Sequence, residues 1–181
     1  MRALPLAALC LFAACRKDEI EVRRAPKEDQ PGASAMAEAP PASGLHWTVP
    51  SGWTEKKGSG MRASTLLPPA AGGKAEMTVI ALPGDVGGEL ANVNRWRGQL
   101  ALPPIAQSEL APLRSTVHSR AGDVLLYDFS GGGAKRTRLL AGMIRVSGTT
   151  WFLKLMGDEA AVKAAEPAFR KLLGGLKGDA A

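Results

Sequence analysis

Apolar and polar residues alternate with a period of two along several short stretches of the chain, which is the pattern of strands that bury one face. The clearest of these is the segment 123–130, in which Leu125, Tyr127 and Phe129 fall on one face. The same spacing predicts further strands at residues 45–49, 61–67, 74–82, 113–120, 135–146 and 151–156. Short turns rich in glycine and proline separate most of these segments, so we expect mainly hairpin connections.

A segment in the middle of the chain, after the turn at Pro83 and Gly84, has the helical period instead. Its apolar side chains fall within one arc of a helical wheel: Leu90, Val93, Trp96, Leu100 and Ala101. Asn92, Arg95 and Gln99 fall on the opposite arc and are predicted to face away from the core. We therefore expect a central helix that packs on the sheet through one face.

A second helix is predicted from Asp158, a favourable N-cap residue, to the pair Gly174 and Gly175. Its apolar residues share one arc: Ala161, Val162, Ala165, Ala168, Phe169, Leu172, Leu173 and Leu176. Pro167 lies inside this segment and removes an internal hydrogen bond, so we expect the helix to kink or divide there.

Strands joined by hairpins, with one helix inserted midway and one at the end, indicate an α+β domain. Its antiparallel sheet of about six to seven strands would be covered by the central and C-terminal helices. This order of elements over residues 45–177 resembles the PsbP-like fold, an α/β/α sandwich. Known members of that family include an extrinsic subunit of photosystem II and a nuclear import factor, and most are not catalytic. The resemblance therefore implies a binding or assembly module.

Arg97 is the exception on the central helix, because it falls on the apolar arc between Leu90 and Leu100. An arginine keeps its charge and needs a partner when it is buried. One interpretation is structural: a buried ion pair, or a side chain whose guanidinium reaches the rim of the core. The other is functional: an anion-binding arginine in a pocket with Trp96 and Asn94. Three carboxylates are candidate partners: Asp85, Asp123 and Asp128.

The first fifteen residues have the layout of an export signal. Arg2 supplies a positive charge, residues 3–14 are apolar, and the sequence L-F-A-A-C ends the run at Cys15. An apolar run of this length is too short to span a bilayer. The motif resembles the lipobox of bacterial lipoproteins, which implies cleavage before Cys15 and its acylation with diacylglycerol and a fatty acid such as palmitate. The alternative is an ordinary secretory signal with an incidental cysteine.

Cysteine usage favours lipid attachment. The chain has two cysteines, Cys10 and Cys15, and removal of the signal peptide, residues 1–14, leaves only Cys15. A lone thiol at the cleavage boundary is better explained as a lipid attachment point than as a free thiol. By the same resemblance, Arg16 in place of an aspartate implies attachment to the periplasmic face of the outer membrane in a bacterium with two membranes.

Residues 15–44 are predicted to be the lipidated cysteine and a disordered linker, and residues 45–178 the globular domain. The linker combines mixed charges with alanine, proline, glycine and serine, and it offers little to bury. From Leu45 onward, 17 basic and 11 acidic residues leave a net charge of +6, which favours anionic lipid head groups or acidic partners. The basic residues are scattered and aromatic residues are few, so nucleic acid is not an expected partner.

Residue patterns that carry catalytic chemistry are scarce. His46 and His118 lie far apart, and neither belongs to a metal-binding motif, so no metal or other cofactor is expected. No G-x-S-x-G motif occurs, and Ser59 has no evident base. The sequence therefore predicts a membrane-anchored, non-catalytic module that binds a protein partner in the cell envelope.

The candidate binding residues lie on the central helix: Asn92, Asn94, Arg95, Trp96, Arg97 and Gln99. A flat exposed face formed by Asn92, Arg95 and Gln99 would suit a protein partner. A concave pocket lined by Arg97 and Trp96 would instead suit a small anionic ligand. The sequence leaves both interpretations open.

Overall fold

The computed structural model describes residues 44–132 and 136–179, so the predicted signal peptide, Cys15 and nearly all of the predicted linker lie outside the described residues. The strands within these ranges are β1 (Leu45–His46), β2 (Thr54–Lys57), β3 (Arg62–Leu67), β4 (Ala75–Pro83), β5 (Ser115–Ser119), β6 (Gly122–Ser130), β7 (Thr137–Val146), β8 (Thr149–Asp158) and β9 (Lys177–Gly178). The helices are α1 (Gly88–Gln99), α2 (Leu110–Leu113) and α3 (Glu159–Gly174), and a 3-10 turn (Gln107–Glu109) precedes α2.

Seven of the strands form one antiparallel sheet in the order β2-β3-β4-β8-β7-β6-β5. The central pair is β4 and β8, whose register runs from Ala75 opposite Gly157 to Pro83 opposite Thr149. This pair joins two segments far apart in sequence, and hairpins then extend the sheet on both sides. Strands β1 and β9 form a separate two-stranded sheet, in which Leu45 is paired with Gly178.

Each face of the sheet carries its own apolar core. On one face, α3 packs through residues such as Phe169 and Leu173 against Leu140 and Leu153. On the other face, α1 contributes Val93, Trp96 and Leu100 to a second cluster on β6, β7 and β8. The result is the α+β architecture predicted from the sequence, a sheet between a central and a C-terminal helix. The order of elements expected from the PsbP-like resemblance is also found.

Two strand predictions differ from the structure at the N-terminal end of the domain. The predicted strand 45–49 is regular only at β1, because side chains hold the following residues in place: the Trp47 ring packs edge-on at 6.4 Å from Trp151, and its Nε1 donates to Glu55 Oε1 at 3.0 Å. The sequence pattern missed β2, because T-E-K-K is an exposed edge strand with no apolar alternation.

Of the two outcomes predicted for Pro167, a kink or a division of the C-terminal helix, the structure rules out the division, because α3 is continuous through this residue. Pro167 is exposed, and the carbonyl that it leaves without an amide partner belongs to Lys163, which is also exposed, so solvent can reach that region of the helix. Asp158 is the N-cap residue as predicted, but its Oδ2 accepts from the Lys74 amide at 2.9 Å and does not cap the helix.

A chain of ion pairs links α3 to β6 and β7. Arg138 donates to Asp128 at 2.9 and 2.5 Å and lies 2.7 Å from Glu166, which also accepts from Arg170 at 2.8 Å. Burial alone would raise the pKa of Glu166, but the hydrogen bonds from Arg170 and Arg138 outweigh it and lower the pKa. Glu166 therefore stabilises the fold while it is ionised.

Acid should weaken this link between α3 and the sheet. A carboxyl group with a lowered folded-state pKa contributes stability above its unfolded pKa of about 4.3 and loses it as the pH falls further. We expect the free energy of unfolding to fall below about pH 4.3, and Glu166→Gln to make that fall shallower. Urea denaturation at several pH values measures both, with Asp85→Asn as the control for an exposed carboxylate. Equal slopes for the two variants would contradict the role of Glu166.

The central strand pair leaves no room for a side chain at Gly157. A Cβ atom there would lie 2.2 Å from the Lys74 carbonyl oxygen and 2.5 Å from the Ala75 Cα atom. Gly157→Ala should therefore cost roughly 3 kcal/mol of unfolding free energy, or prevent folding.

Gly98→Ala is the matched control, because nothing lies within 4 Å of its Cβ position in α1. Alanine should stabilise that helix by about 1 kcal/mol. Chemical denaturation of both variants tests the pair, and an unchanged Gly157→Ala protein would show that β4 and β8 do not approach so closely.

Candidate functional site

Asn92 is buried, with 1% of its surface exposed, although it was predicted to lie on the exposed arc of the helix. Its Nδ2 donates to the carbonyls of Val86 and Gly88 at 2.8 and 2.7 Å, and its Oδ1 accepts from Arg95 at 2.9 Å. The prediction failed because the helical wheel ignores the turn before α1, which folds over this side chain. Asn92 closes that turn onto the first turn of the helix.

Asn94 and Arg97 hold the segment that follows α1. The Asn94 side chain makes two hydrogen bonds with the backbone of Ile105, at 2.8 and 3.1 Å. The Arg97 Nε donates to the Pro103 carbonyl at 2.8 Å, and its guanidinium carbon lies 5.4 Å from the centre of the Phe129 ring. Both side chains therefore have structural partners, and the interpretation of Arg97 as a residue that reaches the rim of the core fits its half-buried position.

The carboxylate partners predicted for Arg97 are not its partners among the described residues. Asp128 pairs with Arg138, and Asp123 accepts from His118 at 2.7 Å. Asp85 lies on the loop before α1 and lines a cavity with Arg145 that does not include Arg97. A backbone carbonyl and the face of an aromatic ring satisfy the guanidinium instead, which neither helical periodicity nor sequence spacing could predict.

Trp96 belongs to the core under α1, since 5% of its surface is exposed. Its ring lies 5.9 Å from Phe152 in an edge-on arrangement and 6.0 Å from Tyr127. Such aromatic contacts stabilise the packing of the helix on the sheet. Of the six candidate binding residues, Arg95 and Gln99 are exposed, whereas the other four are buried or half-buried.

Below the N-terminal end of α1, the buried hydroxyl of Tyr127 donates to the Glu89 carboxylate. Arg114 reaches the same carboxylate from the segment before β5, at 3.2 Å from each oxygen. Burial and the negative charge of Glu89 raise the pKa of Tyr127, so this phenol stays protonated and remains a donor. The arrangement ties α1 to the sheet.

The sheet face that carries α1 is only partly covered by it. Paired residues of neighbouring antiparallel strands point to the same side. The row Thr65, Thr78 and Lys154 therefore lies on this face, across β3, β4 and β8. Beyond the end of α1 the face is polar, and we call it the uncovered sheet surface. It consists of Arg62, Thr65, Glu76, Thr78 and Lys154, with Gln99 at its border.

Lys154 lies at the centre of the uncovered sheet surface and is half-buried. Its Nζ donates to Gln99 Oε1 at 2.9 Å, and within the described ranges no carboxylate lies within ion-pair distance of it. Burial, followed by the positive charge of Arg62, lowers the pKa of Lys154. A cation in a central strand with only an amide oxygen as its partner is an uncommon arrangement, because buried lysines are normally paired.

Thr78 lies opposite Lys154 in the register and is 5% exposed. No hydrogen-bond partner for its Oγ1 is found in the described part of the chain. A buried hydroxyl without a partner costs about 1–3 kcal/mol. Such groups are rare in folded proteins, and each calls for an explanation.

A cleft of about 570 Å³ adjoins the uncovered sheet surface where the β3–β4 loop passes the ends of β7 and β8. Leu67 and Met156, each two positions along its strand from Thr65 and Lys154, form part of its apolar lining, together with Pro68 and Ala70 of the loop. Lys74, Glu76, Thr137 and Asp158 also line the cleft. Glu76 is paired with Met156 in the register, so the row next to Thr65, Thr78 and Lys154 carries two apolar side chains and one carboxylate.

Two further clefts have fewer features that would favour ligand binding. One of about 630 Å³ lies beside the N-terminal end of α3 and is lined by Arg138, Asp128 and Glu159, but Arg138 already has two carboxylate partners. The other, of about 390 Å³, lies between Asp85 and Arg145. Among residues 44–132 and 136–179, no group of three or more histidine, cysteine or acidic side chains is placed to hold a metal ion. No helix within these ranges is long and apolar enough to cross a membrane.

The structural role of Asn92 predicts a loss of stability on mutation. Asn92→Ala removes the side-chain hydrogen bonds to the carbonyls of Val86 and Gly88, so we expect a loss of about 1–3 kcal/mol of unfolding free energy. Ala91→Gln in the same helix, at an exposed position, should change stability by less than about 0.5 kcal/mol. Urea denaturation measures both. If the two variants proved equally stable, Asn92 would be free for binding.

Comparison with protein-family models and with curated proteins found no match. Among solved structures, the chain is similar to a protein from Bacteroides thetaiotaomicron, with 10% identity, a TM-score of 0.47, and coverage of 75% of this chain and 45% of that one. It is also similar to LpqN of Mycobacterium tuberculosis, described as involved in cell envelope biogenesis (15% identity, TM-score 0.47, 77% of this chain, 86% of that chain). A third is the cyanobacterial PsbP, CyanoP, of Synechocystis sp. PCC 6803 (12% identity, TM-score 0.42, 81% and 99%). The chain spans less than half the length of the Bacteroides protein, and likenesses this distant decide nothing about its function.

Proposed function

We propose that this protein is a non-catalytic binding module of the bacterial cell envelope, attached to the membrane by a lipid at Cys15. Its binding surface would be the uncovered sheet surface together with Arg95 and Gln99 at the adjoining edge of α1. The observation that carries this proposal is Lys154, a half-buried cation on a central strand whose partner in the described chain is the neutral amide of Gln99.

The remaining candidate residues do not bind the partner in this proposal; they hold α1 in position next to the binding surface. Asn92, Asn94 and Arg97 anchor α1 to the turn before it and the segment after it. Trp96 seats the helix on the sheet. A rigid helix edge beside a polar strand face gives a binding partner a preorganised surface. The alternative function is the binding of a small anionic ligand. For it we propose a site near Lys154 and not a pocket around Arg97 and Trp96, since both of these residues have structural partners.

Each of the two histidines contacts an exposed aspartate. His118 and Asp123 form a pair, but their side chains are 82% and 62% exposed. His46 pairs with Asp179 in the same exposed manner. Neither histidine contacts a hydroxyl nucleophile in the described chain, which nucleophilic catalysis would need.

The location rests on the sequence. The lipobox-like motif at Cys15 would supply the anchor, and the linker predicted from the sequence, about 29 residues long, would have a root-mean-square reach of roughly 30 Å if it behaves as a random coil. A domain on such a linker stays near the membrane and remains free to turn, so its binding surface need not be fixed in one orientation.

Site-specific photocrosslinking in native membranes tests the proposal. A photoreactive residue in place of Lys56, which is exposed beside Thr65, should give one specific adduct. The same residue in place of Lys171, exposed on α3, is the matched control and should not give it. Lys154→Gln should abolish the adduct at position 56. Cys15→Ser should release the protein from the membrane, and mass spectrometry of the processed parent should show the acylated cysteine.

Identical adduct profiles at positions 56 and 171 would refute the binding surface. An unmodified thiol at Cys15 would refute the anchor while leaving the surface untouched. The two parts of the proposal therefore fail separately.

A further inference from the structure

We infer that the uncovered sheet surface binds an anionic phospholipid, with the phosphate of the head group on Lys154 and Arg62 and the first part of the acyl chains in the adjoining cleft. The inference rests on the proposed function and deepens it, because it names the chemical class of the ligand at the same surface.

The first argument is the unbalanced charge at this surface. Arg62 is about half-exposed and lies 3.6 Å from Glu76, which is also half-exposed, so their attraction is weak. Lys154 has no carboxylate partner in the described chain. Burial and the charge of Arg62 lower the pKa of Lys154 and the charge of Glu76 only partly opposes them, so an anion bound beside Lys154 would favour its charged form.

The second argument is the unpartnered hydroxyl of Thr78 beside Lys154. The Lys154 ammonium is held by one hydrogen bond to Gln99. The inference requires Lys154 to turn from Gln99 toward the phosphate and to open access to Thr78 Oγ1, which then donates to a phosphate oxygen. The site thus explains a buried polar group that the fold leaves without a partner.

The third argument is the spacing of the donors. Thr65, Thr78 and Lys154 lie on three neighbouring strands, which are about 4.8 Å apart. Arg62 Nη1 already donates to Thr65 Oγ1 at 3.2 Å, so the guanidinium lies over this row. Donors that converge from several strands suit a tetrahedral group with oxygens in several directions, and both arginine and lysine are common phosphate ligands.

The fourth argument distinguishes a lipid from a free phosphate. The cleft of about 570 Å³ begins at Leu67 and Met156, one row of side chains from the cationic centre. A cleft that has an apolar wall of Leu67, Pro68 and Met156 beside the proposed phosphate-binding row matches a molecule with a charged head and an apolar tail. The net charge of +6 from Leu45 onward, and the proposed attachment to a membrane, bring such molecules to the domain.

Native mass spectrometry of the full lipidated chain, released from nonionic detergent micelles, tests the inference. The probes are phosphatidylglycerol, phosphatidylcholine and inorganic phosphate. We expect phosphatidylglycerol to bind at least tenfold more tightly than phosphatidylcholine. Lys154→Gln should weaken phosphatidylglycerol binding about tenfold, whereas Lys171→Gln, which removes an exposed charge on α3, should leave it unchanged. Both variants are first checked for an unchanged unfolding midpoint.

Thr78→Val is a second variant that should not impair folding, because it removes a buried hydroxyl without a partner. It should weaken phosphatidylglycerol binding about threefold with no loss in the unfolding midpoint. Equal binding of the two phospholipids would overturn the inference, as would equal effects of Lys154→Gln and Lys171→Gln. Inorganic phosphate binding as tightly as phosphatidylglycerol would also overturn it, in favour of a free oxyanion. If these tests fail while the photocrosslink at position 56 persists, the binding module stands and its ligand is not a lipid.

Discussion

The pairing of β4 with β8 is the constraint on which the rest of the structure depends. These strands join residues 75–83 to residues 149–157 at the middle of the sheet, and each then carries its own hairpins outward. One face of the pair contributes to the core under α3, and the other includes Thr78 and Lys154. The same ladder of hydrogen bonds thus orders the fold and sets the spacing of the proposed binding site. Gly157 lets the strands approach closely at one end of that ladder.

The elements that could be predicted from the sequence were those whose own residues show a strand or helix periodicity of apolar positions. The alternation of Leu125, Tyr127 and Phe129 identified β6, and the apolar arc of α3 identified the C-terminal helix. What failed depended on neighbours outside the pattern. Asn92 is buried because a preceding turn covers it, and Pro167 is tolerated because its side of α3 faces water.

The site could be predicted only in part for the same reason. The sequence drew attention to α1, where four of the six candidate residues turn out to hold the helix in place. Lys154 gave no signal, since a lysine between Leu153 and Leu155 is the ordinary outward position of an alternating strand. Its significance comes from long-range pairing with Thr78 and from Gln99, 55 positions away in sequence.

The small sheet of β1 and β9 brings Leu45 and Gly178 side by side, so the described chain enters and leaves the domain at the same place. A fluorescent protein fused after Gly178 would consequently be joined to the domain beside Leu45, where the predicted linker ends. Its position would report on that side of the domain and would change little when the opposite side tilts. A label intended to follow the orientation of the domain belongs on the far side, away from both termini.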